Sequence, residues 1–215
     1  MEPVVSGETP AFEKVDYSMS MAQANLYTLL IMVPIIIVLG GVYAALWGFQ
    51  RPAVEFAALF DGPWRLVAAY GVLIGILIVG VVVHELIHGL TWVLVGKKPW
   101  SAIKFGFQKS TFTPYTHLQE PLQAGAYRIG TWMPGFITGF LPAFYGILFG
   151  NSWLVMLGGL FICAAGGDLL ILWSLRKVNK DALVEDHPTR AGCYVLLENV
   201  NTERNFVNHE PHGKH

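Results

Sequence analysis

Four stretches of this chain stay apolar for about as long as a lipid bilayer is thick: roughly Leu26 to Trp47, Trp64 to Val95, Ile129 to Phe149 and Trp153 to Leu175. A membrane-crossing helix needs roughly 20 mostly apolar residues, so each run predicts a span. Composition agrees, with 53% hydrophobic and only 13% charged residues, against about 25% charged in an average soluble domain. The net charge of -1 provides no basic field, so nucleic acid is not an expected partner and the lipid bilayer is. Pro34, Pro134 and Pro142 fall inside the runs; spans tolerate proline where neighbours re-satisfy the freed carbonyls. The first run starts after about two dozen mixed residues, is too long for the apolar core of a signal peptide, and lacks an Ala-x-Ala close. It reads as a retained span.

The third and fourth runs are separated only by Gly150, Asn151 and Ser152, a tight turn between antiparallel neighbours. A short loop covers residues 49–63, a longer one 96–127, and a polar tail follows residue 176. Lysine and arginine set orientation. Lys97, Lys98, Lys104, Lys109 and Arg128 cluster at the long loop, and Arg176, Lys177, Lys180, Arg190, Arg204 and Lys214 in the tail. Only Arg51 and Arg65 lie on the other side. The long loop and both termini are therefore expected in the cytoplasm. Cys163 and Cys193 form neither a disulfide framework nor a zinc-cluster spacing.

Within the long loop, Ile103, Phe105 and Phe107 alternate with Lys104, Gly106 and Gln108, the period of a half-buried strand. A second candidate strand surrounds Phe112, with Lys109 and Ser110 as the turn. An edge of this kind could accept an extended peptide; a membrane-surface amphipathic segment is the plainer reading. The expected fold is thus an all-α polytopic membrane protein of about four transmembrane helices, with a small β-hairpin-like cytoplasmic insertion between helices 2 and 3. Residues 1–24 would be a polar N-terminal segment, 25–200 one membrane-embedded domain, and 201–215 a disordered tail whose His209, His212 and His215 are solvated.

The second run contains His84-Glu85-Leu86-Ile87-His88, a His-Glu-x-x-His pattern. Residues four apart share one helix face, so the two imidazoles can grip one zinc ion. Glu85, at the edge of that face, can hold or deprotonate a water whose pKa zinc lowers to about 7. Ionisable residues inside a span cost on the order of 2.5–3.5 kcal/mol each, and a metal bound by neutral imidazoles compensates. A buried polar cluster satisfied by other helices is the plainer alternative.

A catalytic zinc usually has three protein ligands. Asp168 is the acid inside another span, and it lies five residues before Trp173, much as His88 lies four before Trp92. With tryptophan favouring the interface, both residues sit roughly 6–8 Å inward at 1.5 Å per residue. Gly166 and Gly167 would let the fourth helix approach the second. The alternatives are that Asp168 pairs with Arg128, or that His117, or more weakly Glu120, folds back from the loop as the third ligand.

The ordered set resembles a family of bacterial membrane proteins grouped as zincin peptidases, formerly a domain of unknown function. It comprises His-Glu-Leu-Ile-His-Gly late in a span, Ile-Lys-Phe-Gly-Phe and Pro-Tyr-Thr-His-Leu-Gln-Glu-Pro after it, Tyr127-Arg128, an intramembrane Gly-Asp, then Asp186-His187-Pro188 and Arg190-Ala191-Gly192-Cys193. The resemblance covers roughly residues 25 to 200. More distantly the chain is similar to site-2 proteases. That likeness implies His84, His88 and Asp168 as ligands of one zinc ion per chain, Glu85 as general base, and a place in the bacterial cell membrane. Asp168 is followed by Leu169 rather than glycine, and no Asn-x-x-Pro precedes it, so substrate class does not transfer.

Three functions compete on this reading: a zinc metallopeptidase cutting a membrane-associated or transmembrane peptide, a non-catalytic membrane zinc protein, and a small metal or proton transporter component. Glu85 favours the first, because structural zinc needs no base beside its ligands. Four spans without an inverted repeat count against the third.

Overall fold

The computed structural model describes residues 12–108 and 113–198. Among these described residues, three helices are long and apolar enough to cross a membrane: α1 (Met21–Trp47), α3 (Pro63–Leu94) and the composite Ala124–Phe149. Helix α1 starts at a capping box in which Ser20 and Gln23 bond each other's backbone N–H groups. The short helix α2 (Gln50–Ala57) links α1 to α3, and Pro63 opens the latter. The composite consists of α4 (Ala124–Pro134), a π-helical turn (Gly135–Phe140) between the two prolines, and α5 (Leu141–Phe149). Outward faces of these helices are apolar, with Leu29 63%, Ile37 66% and Val79 63% exposed. Water would not tolerate such surfaces and lipid does, which marks the chain as membrane-associated.

The all-α reading is wrong in two respects. The fourth run is not one straight helix: α6 (Ser152–Ala164) and α7 (Gly166–Leu175) meet at 51°. Three helices therefore pass as spans, or four if the bent pair counts as one. The chain also carries a four-stranded antiparallel sheet. It is built from β1 (Phe12–Met19), β4 (Leu122–Gln123), β5 (Leu183–Asp186) and β6 (Ala191–Glu198), in the order β1-β6-β5-β4. Segments that read as a polar lead-in and a polar tail thus pair with each other, Phe12 opposite Glu198 through Met19 opposite Ala191. The physical reason is one-sided burial. Val184, Asp186, Cys193 and Val195 are buried, while exposed charges such as Glu13 and Lys14 give the strands their polar composition.

A separate two-stranded sheet pairs β2 (Ile103–Gln108) with β3 (Thr113–Leu118). The turn and second strand expected at Lys109, Ser110 and Phe112 lie outside the described residues. Leu118, Leu122, Trp92, Tyr127, Leu175 and Val184 form one core beneath both sheets at the ends of α3, α4 and α7. That core holds the polar ends of the helices in register.

Candidate metal centre

Helix α3 brings His84 and His88 to one face, both buried, with ring centroids 5.1 Å apart. Asp168 sits in the first turn of α7, just past the bend at Ala165. Gly166 fixes that start. A Cβ there would lie 2.2 Å from Thr28 Cγ2, so α7 packs closely on α1. The expected close approach of Gly166 and Gly167 to the second span is therefore corrected. The contact is with α1, and a Cβ on Gly167 would meet nothing within 4 Å.

Asp168 Oδ2 lies 3.1 Å from His84 Nε2 and 3.4 Å from His88 Nε2. One ligand atom from each residue lies within 4.8 Å of the others, an arrangement that could hold a metal ion. Donor atoms about 2.0–2.1 Å from a tetrahedral zinc stand about 3.3 Å from each other, which both measured separations approach. His88 Nδ1 lies 3.0 Å from the Gly130 carbonyl oxygen. A carbonyl only accepts, so Nδ1 carries the proton and the Nε2 lone pair is left for a ligand. A ligating histidine usually has its second nitrogen held in this way. Two imidazoles and a carboxylate form a donor set that suits zinc.

The ring of His88 stacks on Trp92 (centroids 5.4 Å), and Trp92 stacks on Tyr127 (5.5 Å). Trp92 Nε1 donates to the Tyr127 carbonyl at 3.3 Å. Glu85 is on the same helix, and its Oε2 lies 2.7 Å from the Thr116 hydroxyl on β3, which is also 2.9 Å from the Glu85 carbonyl. His84, Glu85, His88 and Asp168 line one cavity of about 440 Å³, walled by β3 and by the turn after β5.

His117 lines that cavity too, but it does not join the metal cluster. Its Nδ1 lies 3.6 Å from Asp186 Oδ2. Glu120 pairs with Lys98 at 3.1 Å. Arg128 donates to the Leu175 and Val178 carbonyls, closing the end of α7, rather than pairing with Asp168. Three contributors to the site escaped the sequence reading. Gly130 carries no motif, and Thr116 entered only within the Pro-Tyr-Thr-His family pattern. Asp186 entered only as part of a family pattern, although it is buried, accepts from Tyr127 Oη at 2.5 Å and from the Leu118 N–H at 2.7 Å. Burial raises its carboxyl above the usual range, against those hydrogen bonds and the charge of His117.

Residues 77–183 match the family model described as "Putative zincin peptidase". This segment belongs to that family. It runs from inside α3 to the first residue of β5 and so includes His84, Glu85, His88 and Asp168. The family is the one that the motifs resemble, and its name carries metallopeptidase chemistry and zinc. No curated protein and no solved structure matches the chain.

Proposed function

We propose that this chain is a membrane-embedded zinc metallopeptidase that hydrolyses a peptide bond at or within the membrane. The observation that carries the reading is the convergence of His84 Nε2, His88 Nε2 and Asp168 Oδ2 beside Glu85 in one cavity. These three side chains would hold the ion, one per chain. Zinc, when bound, would polarise the scissile carbonyl and make water nucleophilic at neutral pH. Glu85 takes the water's proton and passes it to the leaving amine. The Thr116 hydroxyl orients that carboxylate. The buried rings of Trp92 and Tyr127 keep bulk water from the back of the site.

The substrate is a membrane-associated or transmembrane segment drawn out as an extended strand, since β3 forms one wall of the cavity. The distribution of lysine and arginine supports the long loop and both termini lying on the cytoplasmic side, and the family resemblance supports a bacterial cell membrane. The test is the metal content of detergent-purified protein. About one zinc per chain is expected in the wild type, with loss in His84→Ala and Asp168→Ala. Glu85→Gln should keep the zinc and lose hydrolysis. Zinc-free wild type that takes up none on addition would refute the proposal.

A further inference from the structure

Asp186 serves no step above, yet it is a buried carboxylate at the wall of the cavity. Such a group is costly unless each oxygen is partnered, and here each partner leads to a different half of the site. Oδ1 accepts from Tyr127 Oη. The Tyr127 ring stacks on Trp92, which stacks on His88. Oδ2 accepts from the Leu118 N–H. Two residues earlier on the same strand, the Thr116 hydroxyl meets the Glu85 carboxylate.

We infer that Asp186 is a positioning residue that sets the ligand His88 and the base Glu85 relative to each other through its two oxygens. The inference rests on the metallopeptidase reading of the same site. It also gives the four-stranded sheet a function. Val184 and Asp186 both point inward from β5, and β5 is held between β6 and β4. Pairing of the N-terminal and C-terminal strands thereby fixes where the Asp186 carboxylate stands. Histidines that ligate metals depend on such outer partners, whose removal typically costs 10–100-fold in metal affinity.

The experiment uses the full chain in detergent and measures zinc affinity by competition with a chromophoric chelator, beside the melting temperature of the metal-free protein. Asp186→Asn and Tyr127→Phe should each weaken zinc binding by about 10–100-fold. Val155→Ala serves as the comparison, since it opens the α5–α6 packing remote from Asp186. It should lower the melting temperature and leave zinc affinity unchanged. Wild-type affinity in both Asp186→Asn and Tyr127→Phe would overturn the inference, as would an equal loss in Val155→Ala. Absence of zinc from the wild type would instead overturn the metallopeptidase reading beneath it.

Discussion

Gly130 provides the sharpest test of how the site is held. It stands on α4 facing α3, and its carbonyl fixes the His88 tautomer. A Cβ at this position would lie 2.1 Å from Trp92 Nε1 and 2.3 Å from Trp92 Cδ1. Ordinary contact needs more than an ångström of extra room. Trp92 cannot yield it freely, because its ring is stacked between His88 and Tyr127 and its N–H is bonded to the Tyr127 carbonyl. Gly130→Ala must then either move the indole, breaking the stack and that bond, or part α3 from α4. Overpacking costs about 1–3 kcal/mol, and loss of a buried hydrogen bond about 1 kcal/mol more. The expected destabilisation is therefore about 2–4 kcal/mol, together with weaker zinc binding as His88 loses its fixed orientation. Denaturant titration in mixed micelles and chelator competition would measure the two effects. Stability within about 0.5 kcal/mol of wild type, the size of an ordinary surface change, together with unchanged zinc affinity, would refute the claim that close packing at Gly130 positions His88.

Gly166→Ala places a methyl 2.2 Å from Thr28 Cγ2; it should destabilise the fold by about 1–3 kcal/mol and reduce zinc uptake by displacing Asp168, whereas a Thr28→Gly second change should recover both. Burial, then the charges of Asp186 and Asp16, pushes the Cys193 thiol from an ordinary 9.0 up to about 12. At pH 8 only about one thiol in 10⁴ is then ionised, so mass spectrometry should find Cys193 unalkylated by iodoacetamide in native micelles and modified in denaturant. The same shift bears on alkaline stability. The folded thiol holds its proton where the unfolded one loses it, so stability is complete below pH 9 and declines between 9 and about 12. Cys193→Ala should flatten that part of the stability profile. Thr116→Val should retain zinc and lower hydrolysis about 10–150-fold, the value of one hydrogen bond to a charged group, with Thr116→Ser restoring it.

Long-range apolarity was readable because lipid imposes it on every residue of a span, so α1 and α3 lie where hydropathy puts them. The candidate metal trio stood out for a related reason. Ionisable residues are rare in such runs, and His84, His88 and Asp168 stand out against Val, Leu and Gly neighbours. The sheet was not, because β1 buries none of its residues fully and β5 buries only Val184 and Asp186. Glu13, Lys14 and Asp16 interleave with Val15 and Tyr17, which gives β1 the composition of a loop. Lys14 stands opposite Leu196 of β6 and meets Glu185 on adjacent β5, 171 positions on, through a 2.7 Å ion pair, and no local pattern announces a pairing at that distance. The bend at Ala165 was also hidden. Two glycines allow a break, but only the Thr28 side chain lying against Gly166 shows why α7 turns.

That bend and the sheet answer one physical problem. A straight fourth helix would carry Asp168 in its interior, where every backbone N–H is already bonded. Breaking at Ala165 puts the carboxylate in the first turn of α7, where unbonded N–H groups and the helix dipole favour negative charge. The same break shortens α7 to Gly166–Leu175, too short to span alone, so its far end needs support from the rest of the fold. Arg128 provides this by bonding the Leu175 and Val178 carbonyls, and the core beneath the sheet provides it by burying Leu175 completely. A helix that ends in water could swing about its glycines. One clamped at its C-terminus by Arg128 and at its N-terminus by Thr28 holds Asp168 against two histidines on a different span, which is what a three-ligand site shared between helices requires.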